Sequence, residues 1–316
     1  MDIGGRKLYM NNLILGGAGF IGQHLTHKLL KTRQQRVTII DNLSTSKINL
    51  DEFSEYKNLF SFIHADIQSL EDKQLLKLMR DNNRVFHFAG SVGVEHIDKN
   101  PKETLFNNVS LTNKLLPLFR ESKRHVIFSS TSEVYGNGPF NEEDSCNIGP
   151  SNKLRWGYAA SKLMTEFLLN ASEMPSTIFR FFNIVGPGQL SDYGMVLPRF
   201  VESAKRNEDL IVYGTGEQIR CFFHIDDATD AIIKCSGFKN ELFNIGNDNP
   251  VTINELAKKV IEISGSNSKI IHVPYEKAFS NNHQDIQTRI PDITKLREKT
   301  GFKPKHDLEK IIMDML

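Results

Sequence analysis

Residues 13–25 read LILGGAGFIGQHL, with four glycines in seven positions between two apolar runs. Glycine loses more conformational freedom on folding than any other residue. A chain gathers so many only where the backbone must turn tightly or lie against something it binds. The spacing is Gly16-x-x-Gly19-x-x-Gly22, directly after a strand-like run and directly before a helical pattern at 20–31 that opens with Phe20 and Ile21. In a parallel α/β sheet this order provides a sharp turn, bare backbone beside a pyrophosphate, and close helix–strand packing. The helix amides then face the phosphates. The next β-branched run, VTIID, ends at Asp41 with Asn42 beside it, and Asp41 lies nineteen residues beyond Gly22. A carboxylate there accepts hydrogen bonds from an adenosine ribose and repels a 2′-phosphate, so the expected cofactor is NAD rather than NADP.

The alternation continues. Runs with strand character stand at 11–15, 36–40, 59–64, 84–88, 124–129 and 177–182, and helical patterns at 20–31, 71–82, 102–120 and 156–172. Continuous apolar strands separated by helices predict a Rossmann-type doubly wound parallel sheet with right-handed crossovers. After Asn183 the rhythm breaks into NIVGPGQLSDYGMVLP, a helix near 196–206, a turn at YGTGEQ, a helix after IDD, and one more strand at LFNIG, 242–246. The expected organisation is a cofactor-binding domain over 1–182, to which a segment at about 221–246 returns. A smaller, irregular C-terminal lobe over 183–316 would bind substrate.

Lysine plus arginine number 39 against 38 aspartates and glutamates, for a net charge of +1. That balance supplies no global field for nucleic acid or an acidic membrane, so neither is an expected partner. Cys146, Cys221 and Cys235 are too scattered for a disulfide framework, and the N-terminus lacks the apolar core of a signal peptide. The expected compartment is therefore the cytoplasm. His24 and His27 lie on one helical pattern without further ligands and read as surface residues, leaving no metal site expected. His87, within an apolar strand, reads as core.

Of seven tyrosines, only Tyr158 has a lysine four residues on, Lys162 of YAASK. On a helix the two share a face. A phenol with an ordinary pKa of ~10 is a poor base at neutrality, and lowering it to ~7 means stabilising the phenolate by ~4 kcal/mol. A neighbouring ammonium and a cationic nicotinamide act in that direction. SSTSEVYG at 129–136 follows a strand and sets Thr131, Ser132 and Glu133 at the carboxyl ends of the sheet, where such folds bind ligands.

With GGAGFIG, HADI (64–67), FAG (88–90), SSTSEVYG, YAASK, RFFNIVGPG (180–188) and YGTGEQIRCFFHIDD (213–227) in order, the chain resembles an extended short-chain dehydrogenase/reductase of the nucleotide-sugar epimerase/dehydratase group. The resemblance implies that Asp66 and Ile67 flank the adenine and that Ala89 lies along the cofactor. It makes Tyr158 the base and Lys162 the ribose contact and phenolate stabiliser, with Thr131 or Ser132 as hydroxyl partner at the sugar. Asn183 and Arg220 would hold the diphosphate or the sugar. Asp226 and Asp227, just before a helical run, read as N-cap residues. A homodimer is implied, built from the helices at 102–120 and 156–172, with Leu105, Val109, Leu116, Leu163, Phe167 and Leu168 offering apolar surface and some of them facing the sheet instead.

The shared chemistry of that group is transient oxidation of a sugar carbon, usually C4. The ketone is then re-reduced on its other face, loses a carboxylate as CO2, or assists loss of water. Glu133 bears on the choice, because a simple 4-epimerase needs no further acid. TSEVYG resembles decarboxylases of UDP-glucuronate and some dehydratases, and GPSNKLRWGYAASK with IRCF also resembles the decarboxylases, whereas AGSVGV (89–94) and YGMVLPRF (193–200) are equally at home in 4-epimerases. The order of expectation is decarboxylase, 4-epimerase, then dehydratase, with UDP-linked sugars as the expected substrate class. A non-catalytic NAD-binding regulator on the same fold stands as the alternative class. Partial burial is expected to raise the pKa of Glu133.

Overall fold

The computed structural model describes residues 9–44, 48–91, 97, 99–138, 140–191, 194–278 and 285–316. Val92, Gly93 and Val94 of the AGSVGV segment, and Tyr193, lie outside the described residues.

Seven parallel strands form the central sheet: β1 (Met10–Leu15), β2 (Gln35–Asp41), β3 (Phe60–His64), β4 (Arg84–His87), β5 (His125–Thr131), β6 (Ser176–Phe181) and β10 (Glu241–Ile245). Their spatial order is β10-β6-β5-β4-β1-β2-β3, so the chain reverses direction across the sheet between β1 and β4. Ligands bind at such a switch point, and the glycine turn leaves β1 there. Strands covered on both faces need apolar side chains throughout. Accordingly Leu13, Ile14 and Leu15 are all buried, with Ile14 in the core on one face and Leu13 and Leu15 in the core on the other.

Helix α1 (Phe20–Lys31) packs on the first of these faces, and α2 (Asp72–Arg80), α3 (Pro101–Ser122) and α4 (Trp156–Ala171) pack on the second. Between α3 and α4 the seam is polar: Asn108 Nδ2 donates to Ser161 Oγ at 3.3 Å, and Thr112 and Thr165 join hydroxyls at 2.9 Å. These bonds fix the orientation of the helix that carries Tyr158 and Lys162.

A second body lies over the carboxyl ends of the strands. Strands β7 (Asn183–Val185), β11 (Pro250–Thr252) and β13 (Thr288–Arg289) all pair with β9 (Ile219–His224), and β8 (Leu210–Tyr213) pairs with β12 (Ile270–Val273). Its own core joins α5 (Val196–Lys205), α7 (Ile253–Ser264) and α9 (Leu308–Met315). Helix α6 (Ile225–Cys235), strand β10 and helix α8 (Thr294–Thr300) pack instead against the central sheet. The chain therefore crosses between the two bodies several times. Among the described residues no helix is long and apolar enough to cross a membrane.

Candidate active site

One cleft of 470 Å³ runs between the sheet and the second body, and it brings together Gly16, Gly19, Phe20, Ile21, Gly22, Thr131, Glu133, Tyr158, Lys162, Asn183 and Arg220. That is enough volume for an extended ligand.

At one end the wall is backbone. Gly16 adopts φ +76°, and a Cβ there would stand 2.5 Å from the Cα of Ala89. A Cβ on Gly22 would meet Gly17 backbone at 2.6–2.8 Å. The protein's own packing therefore requires both glycines. Gly19 differs: a Cβ would touch only the carbonyl of Gly16, at 3.4 Å, so the fold itself leaves room for a side chain. Gly19 caps α1 with no side-chain hydrogen bond, and the first turn of α1 carries no acidic residue. Uncapped amides and a bare approach are what a pyrophosphate needs, so these residues fit a dinucleotide.

Asp41 closes the turn from the side. Its Oδ2 accepts from Ala18 N at 3.0 Å and its Oδ1 from Leu43 N at 2.8 Å. Asn42 Oδ1 accepts from Ser44 N, and Asp66 Oδ1 from Gln68 N. Ile67 is buried in the core below them. Asp41, Asn42, Asp66, Ile67 and Ala89 thus gather at the ends of β1 to β4, beside the cleft rather than within its lining.

The other end is built from side chains. Lys162 Nζ donates to Ser129 O at 2.9 Å, and burial brings its ammonium down to about 8, partly offset by Glu166 one turn on. Glu166 in turn holds Arg180 at 2.7 Å. Tyr158 departs from expectation. Burial, followed by the negative Glu133, pushes its phenol above the ordinary value, while the Thr131 hydroxyl bonded to it and Arg289 pull the other way. The chain by itself therefore keeps Tyr158 protonated, because desolvation and Glu133 outweigh Arg289 and the Thr131 hydrogen bond. Thr131 faces the cleft, whereas Ser132 is buried and its Oγ accepts from Arg289 Nη2 at 2.6 Å.

Glu133 requires a correction. Its pKa is lowered, not raised. Burial does push it up, but Arg155 Nη2 at 3.0 Å and Arg289 Nη1 at 3.8 Å reverse the effect and hold it as a carboxylate. Arg220 also has a partner: Nη2 lies 3.0 Å from Asp285 Oδ1, while Tyr275 donates its hydroxyl to Asp285 Oδ2 at 2.7 Å. Asn183 Nδ2 donates to Cys221 O at 3.0 Å.

Arg155 and Arg289 were not among the residues the sequence singled out. Arg155 stands three before Tyr158 in RWGYAASK, and that spacing is its only signal. Arg289 has none, since it arrives through the pairing of β13 with β9, opposite Arg220 in register. The helix after β9 holds a second correction. The N-cap of α6 is His224, whose Nδ1 accepts from Asp226 N at 3.0 Å, and not Asp226 or Asp227. Asp227, fully buried, accepts from the amides of Lys305 and His306. His224, Asp226 and His306 are close enough together to suggest metal ligands. However, an accepting Nδ1 leaves the proton on His224 Nε2, and the two imidazoles stack at 4.2 Å instead of converging. His87 is buried between Phe119 and Phe128, as core.

A phenol and an ammonium on one helix face, opening on the same cleft as the glycine turn, fit reversible oxidation of an alcohol by a dinucleotide. Fold and site together define an enzyme of the extended short-chain dehydrogenase/reductase type. More narrowly, the chain belongs to the NAD dependent epimerase/dehydratase family, whose sequence model matches residues 12–246. It is 39% identical over 306 residues, 94% of each chain, to UDP-N-acetyl-alpha-D-glucosaminuronate decarboxylase of Bacillus cytotoxicus. It is 32% identical to UDP-glucuronic acid decarboxylase 3 of Arabidopsis thaliana, covering 95% of this chain and 86% of that one. Among solved structures, UDP-glucuronic acid 4-epimerase from Bacillus cereus, in complex with UDP-glucuronic acid and NAD, superposes with a TM-score of 0.83 at 26% identity, over 96% and 97% of the two chains.

Proposed function

We propose that this protein decarboxylates a UDP-linked hexuronate, either UDP-glucuronate or its 2-acetamido counterpart, through a transient C4 ketone. The observation that carries this reading is the charge at the sugar end. Among the described residues, three guanidiniums, Arg155, Arg220 and Arg289, face two carboxylates, Glu133 and Asp285, around one buried wall of the cleft. A neutral hexose would leave that surplus cation buried and uncompensated, whereas a hexuronate brings the missing negative charge. The names of the decarboxylase relatives support the same class.

Asp41 and the turn from Gly16 to Gly22, with Phe20 and Ile21, hold the cofactor; Asn42, Asp66, Ile67 and Ala89 form its adenosine side. When bound there, NAD would supply a reversible hydride acceptor for the sugar carbon. Tyr158 takes the proton of the C4 hydroxyl, with Thr131 bonded to the phenol and Lys162 supplying positive charge behind it. A ketone at C4 makes the C5 carboxylate a β-keto acid, so the C5–C6 electron pair passes into the carbonyl as CO2 leaves. The resulting enolate takes a proton at C5. Solvent supplies it, while Arg289, a fixed cation on the same wall, stabilises the negative charge of the enolate. Asn183 and Arg220 hold the sugar from the second body.

A 4-epimerase is the second reading, favoured by the likeness to a structure that retains the carboxylate. Incubation with NAD and a panel of UDP-hexoses and UDP-hexuronates, followed by mass spectrometry, separates the two. Loss of CO2 supports decarboxylation; a C4 epimer of unchanged mass refutes it.

The working form we propose is a homodimer in the cytoplasm. Leu105 is 39% exposed and Phe167 66%, with Phe106 beside them at 70%, a patch on α3 and α4 that a second copy of the same helices would cover. Leu116 and Leu163 instead pack inward. All three cysteines are free, which suits a reducing compartment.

A further inference from the structure

The segment just before α4 carries more than its distance from Tyr158 suggests. Arg155 precedes the helix, and its guanidinium carbon lies 5.0 Å from the centre of the Trp156 ring. That ring is itself wedged, since a Cβ on Gly149 would fall 2.0 Å from the indole nitrogen. From this platform Nη2 reaches Glu133 Oε2 at 3.0 Å, with both side chains less than a tenth exposed. We propose that Arg155 is a positioning residue for the reaction: stacked on Trp156, it holds Glu133 as a carboxylate and so leaves Arg289 free to serve the substrate.

The groups facing Glu133 come from several elements. Arg155 caps α4 and Tyr158 lies in its first turn, Arg289 belongs to β13, and Asp285 to the chain just before β13. Arg220 of β9 is tied to Asp285. Only Arg155 hydrogen-bonds Glu133 among the two flanking arginines. Arg289 stands 3.8 Å away and gives its short bond to Ser132. An isolated buried carboxylate is driven to its neutral form. Without Arg155, Glu133 either takes up a proton and no longer balances the charge of Arg289, or draws Arg289 onto itself and away from the sugar. A lysine replaces the charge but neither the fork nor the stack.

This inference rests on the decarboxylase reading, and the test keeps the two apart. The NAD-loaded protein and its Arg155→Met, Arg155→Lys, Glu133→Gln and Arg155→Met/Glu133→Gln variants are compared on UDP-glucuronate and its 2-acetamido counterpart. Arg155→Met should lower kcat at least about tenfold and move the acid limb of kcat/KM up by about one pH unit or more. NAD affinity, which depends on the other end of the cleft, should stay unchanged. Arg155→Lys should shift the limb partway in the same direction, and it carries the test if Arg155→Met does not fold. In the Glu133→Gln background, Arg155→Met should change kcat by less than about threefold, because the partner it acts on is gone. Trp156 is the only tryptophan, so its fluorescence should respond to Arg155→Met but barely to Glu133→Gln.

An unmoved acid limb in Arg155→Met or Arg155→Lys overturns the inference. So does an equal loss of rate in both Glu133 backgrounds. If the unmodified protein epimerises and retains CO2, the functional reading fails while the inference survives or falls on the same comparison, run on epimerisation.

Discussion

At the cofactor end of the cleft the protein presents backbone: a glycine turn, an uncapped helix start, and Asp41 whose carboxylate is braced by two amides. At the sugar end it presents buried charge: Glu133 between Arg155 and Arg289, with Asp285 on Arg220. The first end is assembled from residues close in sequence and stays much the same whatever sugar is bound. The second draws on four separated segments, and its charge count must be completed by the ligand. The difference teaches that binding of cofactor and choice of sugar are separable properties of this chain, and substitutions should show them to be so.

The largest effect belongs to Tyr158. Tyr158→Phe removes only the ionisable oxygen, so turnover should fall by about 10²–10⁴-fold while calorimetry shows NAD binding within about threefold of the unmodified protein. A variant that retains most of its rate would place the base elsewhere.

The glycines sharpen the other side. Gly22→Ala drives a methyl into the backbone of Gly17 and should destabilise the fold by about 1–3 kcal/mol. Gly19→Ala meets nothing in the chain closer than 3.4 Å. It should therefore melt at nearly the unmodified temperature and yet bind NAD at least about tenfold more weakly, since the methyl stands where the pyrophosphate approaches. If Gly19→Ala loses stability rather than affinity, the bare approach serves packing and not the cofactor.

This contrast also accounts for what the sequence made legible. The glycine turn, Asp41 and the Tyr158–Lys162 pair are local patterns whose spacing carries their geometry, and the strands and helices that hold them form where hydrophobic periodicity places them. Arg289 is different: its role exists only because a two-residue strand pairs with β9. The ionisation of Glu133 was misjudged for the same reason, because burial could be anticipated from its position but the two arginines could not. For Tyr158 the error ran the other way. Lys162 is legible as a cation one turn away, but the cation that acts on the phenol is Arg289, and desolvation exceeds it.

A smaller effect tests the sheet that both ends share. Burial pushes His87 down to about 3, so the folded chain keeps it neutral where the unfolded chain, near 6.5, takes up a proton. The unfolded state therefore binds more protons as pH falls below 6.5, and His87 costs stability there. Each pH unit between 6.5 and 3 removes about 1.4 kcal/mol. Denaturant melts at pH 7.0 and 5.5 should show this loss, and His87→Leu should flatten it; His125, pushed down to about 4, retains its own share. A slope unchanged in His87→Leu would assign the acid sensitivity to other groups.

The central claim is that the surplus positive charge at the sugar end selects a carboxylate-bearing sugar. Its most direct test is calorimetric binding of UDP-glucuronate and UDP-glucose to the NAD-loaded Tyr158→Phe protein, in which turnover no longer obscures affinity. The account predicts that the hexuronate binds at least about tenfold more tightly, or about 1.4 kcal/mol, and that Arg289→Met in the same background erases most of the difference. Equal affinities for the two sugars would contradict it.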